Sequence, residues 1–329
     1  MVHSLNNSDL RPEYIFMSKS LIAPPFLKAG DTVGVLAPAS KIDYEDCLEG
    51  LRILREDWKL NVVEGATLKS QFYQFSGTDE LRRQDLQSML DNPEIKAILA
   101  VRGGYGCSRM MDQLDFSAFR QSPKWLVGFS DLTALLAHFY TIGYASIHGP
   151  MVKLFAKENG EIALESLRKA LFGEPISYVL PAHAFNRLGE GFGPVVGGNL
   201  CLLAHLTGSV WEVDMAGKIL FIEDINEYLY SIDRMMIQLK RAGQLENLSG
   251  LLVGQFSDVR DNPEPVFGKE AYEIIQEHTS NYNYPICYDF PTGHVADNRA
   301  LPIGLTASLA VLPGEVRLDY SLIPKPILF

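Results

Sequence analysis

Apolar and polar residues alternate in short blocks along the first 150 residues of the chain. Continuous apolar runs, which are typical of buried strands, lie at residues 31–37, 60–63, 95–101, 125–127 and 144–147. Between these runs apolar residues recur three and four positions apart, which predicts helices at residues 44–57, 79–90, 107–114 and 131–140. The second of these helices has a strongly polar face. Alternating strands and helices predict βαβ units, so we expect a parallel sheet in this part of the chain.

The pattern changes in the second half of the chain. Helical spacing predicts helices at residues 161–172, 200–206 and 228–242. Apolar runs predict strands at residues 176–180, 194–196, 218–222, 250–256, 284–290, 300–303, 307–312 and 315–318. The last strands are short and separated by Pro and Gly, so we expect a mixed α+β region whose strands close into a small barrel.

Segments rich in Gly and Pro suggest how the chain divides into domains. The sequence predicts an extension at residues 1–20, an N-terminal α/β domain at 21–155, a linker at 156–192 and a C-terminal domain at 193–329. The extension is polar and lacks the apolar segment of a signal peptide, so we expect it to be disordered and the protein to be cytoplasmic. Met17 is a plausible alternative start.

Composition and charge exclude several classes of function. A chain of 329 residues is long enough for two domains with their own cores. A net charge of −11 argues against a surface for nucleic acid or for an anionic membrane, because both require clustered Lys and Arg. The four cysteines are scattered singly, so neither a zinc site nor a redox motif is predicted.

Ser130 lies between the apolar run at residues 125–127 and the helical spacing that begins at Asp131. Only two or three residues remain for the turn, and a serine at a sharp strand-to-helix turn is the arrangement of a nucleophile elbow. The usual Gly-x-Ser-x-Gly pattern is incomplete, because Leu132 stands where the second glycine is expected. The alternative interpretation is that Ser130 caps the following helix.

A serine nucleophile needs a base, and the base needs an orienting partner. His148 and His294 both lie in glycine-containing loops after apolar runs, and His294 is the better candidate because its loop is rich in hydrogen-bond donors. The alternative for His294 is a turn histidine bonded to backbone. Glu223 ends an apolar run and is the natural orienting carboxylate, whereas Asp224 would point to the opposite face of the strand. Glu223 could instead cap the next helix or pair with Arg234.

The segment 102–106, Arg-Gly-Gly-Tyr-Gly, has glycines that allow a backbone to approach a ligand closely. It lacks the known nucleotide-phosphate patterns. An amide of this turn, together with the amide of Asp131, could form an oxyanion hole.

Six segments occur together in this chain: 101–106 (Val-Arg-Gly-Gly-Tyr-Gly), 128–131 (Gly-Phe-Ser-Asp), 147–150 (Ile-His-Gly-Pro), 197–200 (Gly-Gly-Asn-Leu), 220–224 (Leu-Phe-Ile-Glu-Asp) and 293–294 (Gly-His). In this order they resemble the LD-carboxypeptidases, a family of serine peptidases of murein recycling. The resemblance covers nearly the whole chain from about Pro24. The family pattern also has Ser-Asp at the elbow, so the missing glycine is no departure from it.

The resemblance implies an N-terminal Rossmann-like domain and a C-terminal domain with a small β-barrel. It implies a triad of Ser130, Glu223 and His294, with an oxyanion hole formed by the amides of Asp131 and Gly104. It further implies a homodimer that releases D-alanine from murein tetrapeptides without metal or cofactor.

A carboxypeptidase must also hold the free carboxylate of its substrate. The candidates for substrate binding are Arg102, Tyr105, Asn199 and Arg299.

Two other functions stay open. Relatives that resemble microcin immunity proteins use the same triad on acyl-adenylates, and these enzymes need an aromatic platform, for which Trp211, Tyr228 and Tyr230 are candidates. The second alternative is a non-catalytic protein whose two domains close around a small ligand.

Overall fold

The computed structural model of the protein describes residues 21–320, so the predicted extension at residues 1–20 lies outside the described part. The protein is a mixed α/β structure with two sheets. The first sheet contains strands β1 (Thr32–Leu36), β2 (Asn61–Glu64), β3 (Ile95–Ala100), β4 (Trp125–Gly128) and β5 (Ser146–His148). They are parallel and lie in the order β2-β1-β3-β4-β5. The predicted parallel sheet is therefore confirmed.

Helices cover both faces of this sheet, which is why its strands are almost continuously apolar. They are α1 (Leu48–Arg52), α2 (Asp79–Asp91) and α3 (Thr133–Thr141). A 3₁₀ turn before α1 and a π-helical turn after it complete the predicted helical segment. Thr78 caps α2 by accepting the amide of Leu81 at 3.2 Å.

Among the described residues the second sheet has seven strands: β6 (Ser177–Pro181), β7 (Gly189–Asn199), β8 (Ile219–Ile225), β9 (Gly250–Ser257), β10 (Ile286–Cys287), β12 (Thr306–Val311) and β13 (Glu315–Asp319). Their order is β10-β9-β8-β7-β12-β13-β6, with parallel pairing from β7 to β10 and antiparallel pairing elsewhere. Helices α4 (Glu161–Phe172), α5 (Leu200–Leu206), α6 (Leu229–Arg241) and α7 (Ala271–Thr279) accompany it. The division into domains and the closure of a small barrel stay predictions.

Two connections bring the sheets together at their carboxyl ends. Strand β11 (Leu301–Ile303) leaves the C-terminal half and pairs antiparallel with β5 of the first sheet. The amide of Asn199, at the end of β7, donates to the hydroxyl of Thr133 at the start of α3, at 3.1 Å. Because Asn199 is also in register with Glu223 on β8, this contact places Glu223 near the β4–α3 turn.

Four predicted elements differ clearly from the structure. The strand predicted at 194–196 is much longer, Gly189–Asn199, and begins inside the predicted linker. The helix predicted at 107–114 is a pair of 3₁₀ turns, Cys107–Arg109 and Met111–Gln113. The strand predicted at 284–290 is only Ile286–Cys287, and the left-handed backbone of Asp289 (φ +61°) ends its extended course. Glu223 does not end its strand, because β8 continues to Ile225.

Among residues 21–320, no helix is both long enough and apolar enough to cross a bilayer.

Candidate active site

Ser130 occupies a strained turn at the carboxyl end of β4. Its φ of +63° lies in the left-handed region, which a non-glycine residue adopts at a cost of about 1–3 kcal/mol. A 3₁₀ turn (Ser130–Leu132) leads directly into α3. The cap positions of the turn and of α3 are Phe129 and Leu132, and neither makes a side-chain capping bond. The capping interpretation of Ser130 is therefore wrong, and the strained elbow conformation is what the nucleophile hypothesis requires.

Glu223 and His294 form a hydrogen-bonded pair. Oε2 of Glu223 lies 2.7 Å from Nδ1 of His294. The carboxylate is wholly buried, whereas the imidazole keeps 14% of its side-chain surface exposed. A carboxylate on Nδ1 fixes the proton there, so Nε2 is the nitrogen that can accept a proton from a substrate or a nucleophile. The alternatives for Glu223, a helix cap or a pair with Arg234, are not what the structure contains.

The imidazole of His294 lies over the residue that precedes Ser130. Its ring centroid is 4.9 Å from that of Phe129, in an edge-on arrangement. Gly293, with φ +119°, allows the chain to pass closely over Glu223, because a Cβ at this position would lie 2.9 Å from the carboxylate oxygen. Within residues 21–320 no hydrogen bond joins the hydroxyl of Ser130 to His294, and such bonds often form only when substrate is bound.

Asn298 holds the loop that carries His294, and sequence reasoning missed it. Its Oδ1 accepts the amide of Gly293 at 2.8 Å and also lies 3.2 Å from the hydroxyl of Thr292 and from Nε2 of His148. Because this oxygen is an acceptor, Nε2 of His148 carries the proton. Burial lowers the pKa of His148 to about 4, so this ring is neutral and supports the loop instead of serving as the base.

The glycine turn at residues 102–106 lies directly against Ser130. A Cβ built on Gly103 would meet the Cβ and Oγ of Ser130 at 3.1 and 3.3 Å. Gly104 has φ +103°, and a side chain there would overlap the hydroxyl of Ser40. The amide of Ser40 donates to the carbonyl of Gly103 at 3.1 Å, so the turn is tied to the loop that follows β1. Gly103, the residue before the predicted oxyanion donor Gly104, thus lies against Ser130, and the other predicted donor, Asp131, follows Ser130 in the chain.

The predicted substrate-binding residues differ in how free their side chains are. Arg102 is exposed and uses one guanidinium nitrogen to bond the carbonyl of Lys41 at 2.8 Å. Tyr105 is 50% exposed. Arg299 forms an ion pair with Asp297 at 2.8 Å.

Asn199 is the fourth predicted substrate-binding residue, and its side chain is buried. Its Oδ1 caps α5, and its Nδ2 donates to Asp224 at 2.7 Å. Asp224 also accepts the amide of Cys201 at 2.9 Å, so its carboxyl points away from His294, as predicted. Burial, together with the neighbouring Glu223, raises the pKa of Asp224 to about 7.

No group of three or more His, Cys, Asp or Glu side chains in the described range could hold a metal ion. All four cysteines are free thiols. Burial raises the pKa of Cys107, whose amide bonds the carboxylate of Asp131, so this thiol is not an activated nucleophile.

Replacing Gly103 by alanine is expected to lower kcat/KM roughly 10- to 100-fold for any reaction in which Ser130 is the nucleophile. The reason is that the added methyl group presses on the side chain of Ser130. The free energy of unfolding should change by less than about 1 kcal/mol, since reduced chain entropy offsets the crowding. Steady-state kinetics and denaturant unfolding measure the two quantities. Gly149→Ala is the matched control, because its Cβ would meet no atom closer than 3.5 Å. Equal activity in both variants would contradict the placement of Ser130.

Comparison with known proteins gives matches over both halves of the chain. Models of the N-terminal and C-terminal domains of LD-carboxypeptidases match residues 33–149 and 192–309. A probable murein peptide carboxypeptidase of Bacillus subtilis is 36% identical over 294 residues, which cover 87% of this chain and 91% of the relative. The microcin C7 self-immunity protein of Escherichia coli is 29% identical over 334 residues, covering 90% of this chain and 94% of the relative. The crystal structure of muramoyltetrapeptide carboxypeptidase from Oxalobacter formigenes matches with a TM-score of 0.79 and 28% identity, over 88% of this chain and 98% of that chain.

Proposed function

Since the chain belongs to the LD-carboxypeptidase family of serine peptidases, we propose that it hydrolyses the L,D-peptide bond before the terminal D-alanine of murein tetrapeptides. The observation that supports this proposal is the hydrogen-bonded pair of Glu223 and His294, whose imidazole lies 4.9 Å from the ring of Phe129, the residue before the strained Ser130. Because Nδ1 is bound to Glu223, Nε2 is the nitrogen that can accept a proton.

In the proposed reaction Nε2 of His294 accepts the proton of the Ser130 hydroxyl as Oγ attacks the carbonyl carbon of the scissile bond. Glu223 holds the tautomer and stabilises the imidazolium that forms. The amides of Asp131 and Gly104 bind the oxyanion. His294 then protonates the leaving amino group of D-alanine, and water hydrolyses the acyl-enzyme by the same steps in reverse order.

The free carboxylate of D-alanine needs a cation. Of the two arginines predicted for this role, Arg299 already binds Asp297 through both its Nε and an Nη. Arg102 bonds a single carbonyl with one nitrogen, and it is the first residue of the glycine turn that lies against Ser130. We therefore propose Arg102 as the carboxylate ligand, with Tyr105 as a wall of the same subsite. Asn199 contributes indirectly, because its side chain joins the end of β7 to Asp224 on β8.

The test is release of D-alanine from the tetrapeptide L-Ala-D-Glu-meso-diaminopimelate-D-Ala by the purified full-length protein. We expect turnover in the ordinary range of about 1–10³ per second. A tetrapeptide ending in L-alanine, which has the same composition but an L,L bond, should react at least ~100-fold more slowly. Equal rates on both peptides, or no release from either, would contradict the proposed substrate.

A second candidate function is hydrolysis of an acyl-adenylate. The supporting observation is a stacked pair of tyrosines, Tyr228 and Tyr230, at the start of α6, the helix that follows the strand of Glu223, with ring centroids 5.3 Å apart. Trp211, the other predicted platform, is partly buried and packs against the core, with its ring centroid 3.6 Å from that of the buried His138. Turnover of an aspartyl sulfamoyl adenosine without D-alanine release from tetrapeptide would favour this candidate.

The non-catalytic binding protein is set aside, since the family is one of enzymes. The dimeric state and the cytoplasmic location implied by the resemblance stay predictions.

A further inference from the structure

We propose that Arg82 and Asp131 act together as positioning residues that clamp the peptide unit between Gly106 and Cys107, and thereby fix the turn that presents the Gly104 amide to the oxyanion. The inference rests on the proposed function and adds two side chains to it. Neither residue is expected to touch the substrate through its side chain.

One end of the peptide unit is held by a cation. The guanidinium of Arg82 has no exposed surface, and its Nη1 donates to the carbonyl of Gly106 at 2.9 Å and to that of Pro38 at 2.7 Å. Its other terminal nitrogen pairs with Asp79. A buried guanidinium that bridges two carbonyls joins the glycine turn to the end of β1, as its planar fork geometry allows.

The other end of the same peptide unit is held by an anion. Oδ2 of Asp131 accepts the amide of Cys107 at 2.8 Å, and the residue is only 2% exposed. Hydrogen bonds to ionised groups are about twice as strong as neutral ones, so the unit is fixed from both sides. Gly106 is required between them, because its φ is +146° and a Cβ there would lie 2.5 Å from Nη1 of Arg82.

Asp131 directly follows Ser130 in the chain, and this position links the clamp to the proposed oxyanion hole. Its backbone amide is one proposed oxyanion donor, and its side chain holds the turn that carries the other donor, Gly104. The two amides are thus fixed relative to each other by a single residue adjacent to Ser130. Preorganised donors stabilise an oxyanion because they need no rearrangement during the reaction.

Stability has to be measured beside activity, because both clamp residues are buried. Burial raises the pKa of Asp131, and the Cys107 amide only partly opposes this shift. Removing one partner of a buried charged pair is usually destabilising. A purely structural role predicts that kcat falls only in proportion to the folded fraction, whereas a positioning role predicts that the folded protein itself loses kcat.

The test compares Asp131→Asn and Arg82→Lys with Asp85→Asn. Asp85 is a matched control, since it is a buried carboxylate on the same helix that accepts the backbone amides of Ala66 and Thr67 at 3.2 and 2.9 Å, and within residues 21–320 it makes no hydrogen bond to the glycine turn. We expect both clamp variants to lower kcat for D-alanine release roughly 10²-fold with KM changed less than about threefold, since loss of one oxyanion donor costs 10²–10³. The control variant Asp85→Asn should keep kcat within about threefold of wild type, even if its melting temperature changes.

The double variant Arg82→Lys/Asp131→Asn provides a second readout. Both residues act on one peptide unit, so the double variant should lose little more kcat than the worse single variant. Three results would overturn the clamp. The first is a double variant whose loss of kcat equals the product of the two single losses, and the second is a kcat that falls only in proportion to the folded fraction. The third is wild-type kcat in both single variants. Failure of wild type itself to turn over any peptide would instead overturn the proposed function, and the clamp with it.

Discussion

Replacement of Ser130 by alanine is expected to lower kcat for D-alanine release by roughly 10⁴- to 10⁶-fold, the range found when a triad serine is removed. The reason is that the attacking hydroxyl is removed, and the thiol of Cys107, which follows the glycine turn, cannot take its place because it is buried with a raised pKa. Alanine should leave the elbow unchanged, because it meets the same backbone strain at φ +63° as serine does. The measurement is D-alanine release at saturating tetrapeptide.

The control for this prediction is Ser146→Ala. Ser146 is buried on the neighbouring strand β5, and its hydroxyl has no hydrogen-bond partner within the described residues. Its loss should leave kcat within about threefold of wild type, since only a buried polar group without a partner is removed. The Ser130→Ala protein should still bind tetrapeptide in calorimetry. Equal D-alanine release by Ser130→Ala and wild type would mean that Ser130 is not the nucleophile.

Local spacing was sufficient to predict the strands of the first sheet, most helices and the sharp turn at Ser130. The apolar runs of the first sheet are buried on both faces, so they leave a clear signal in the sequence. The turn before α3 is short because β4 ends at Gly128, where a Cβ would lie 2.6 Å from the side chain of Leu132. Such features depend on neighbours in the chain, and a sequence pattern records them.

Contacts between distant segments could not be predicted in the same way. The polar face of α2 predicts solvated side chains, yet Arg82 is fully buried because two carbonyls of other loops need its donors. The bond from Cys107 to Asp131 and the oxygen of Asn298 below Gly293 likewise join loops that are far apart in sequence. No periodicity marks such residues, because each is placed by one specific partner.

The end of β8 shows a further limit of the pattern. A run of apolar residues that stops at two carboxylates predicts the end of a strand, yet the strand continues to Ile225. The carboxyl of Asp224 is satisfied by Asn199 and by the amide of Cys201, so the chain can bury it within the sheet. Alternation along a continuing strand then directs Glu223 to His294 and Asp224 to the opposite face.

This alternation leads to the second large expected effect. Glu223→Ala should lower kcat/KM by roughly 10³- to 10⁴-fold, because His294 loses both its tautomer and the anion that stabilises its protonated form. Glu223→Gln should lose about as much, since its amide carries no charge and its NH2 group can donate to Nδ1, which moves the imidazole proton to Nε2. Kinetics of D-alanine release by the two variants test whether a neutral side chain of the same size can replace the carboxylate.

Asp224→Asn is the matched control for Glu223, because the two carboxylates are adjacent and both buried. Burial already raises the pKa of Asp224 to about 7, so near neutrality the carboxyl is partly protonated and asparagine resembles that form. We expect this variant to keep kcat/KM within about tenfold while its stability changes through Asn199 and Cys201. If Asp224→Asn lost as much activity as Glu223→Ala, the two faces of β8 would not be functionally distinct, and Glu223 could not be the third member of the triad. If only the Glu223 variants lose kcat/KM, the alternation of side chains along β8 determines which of the two neighbouring carboxylates takes part in catalysis.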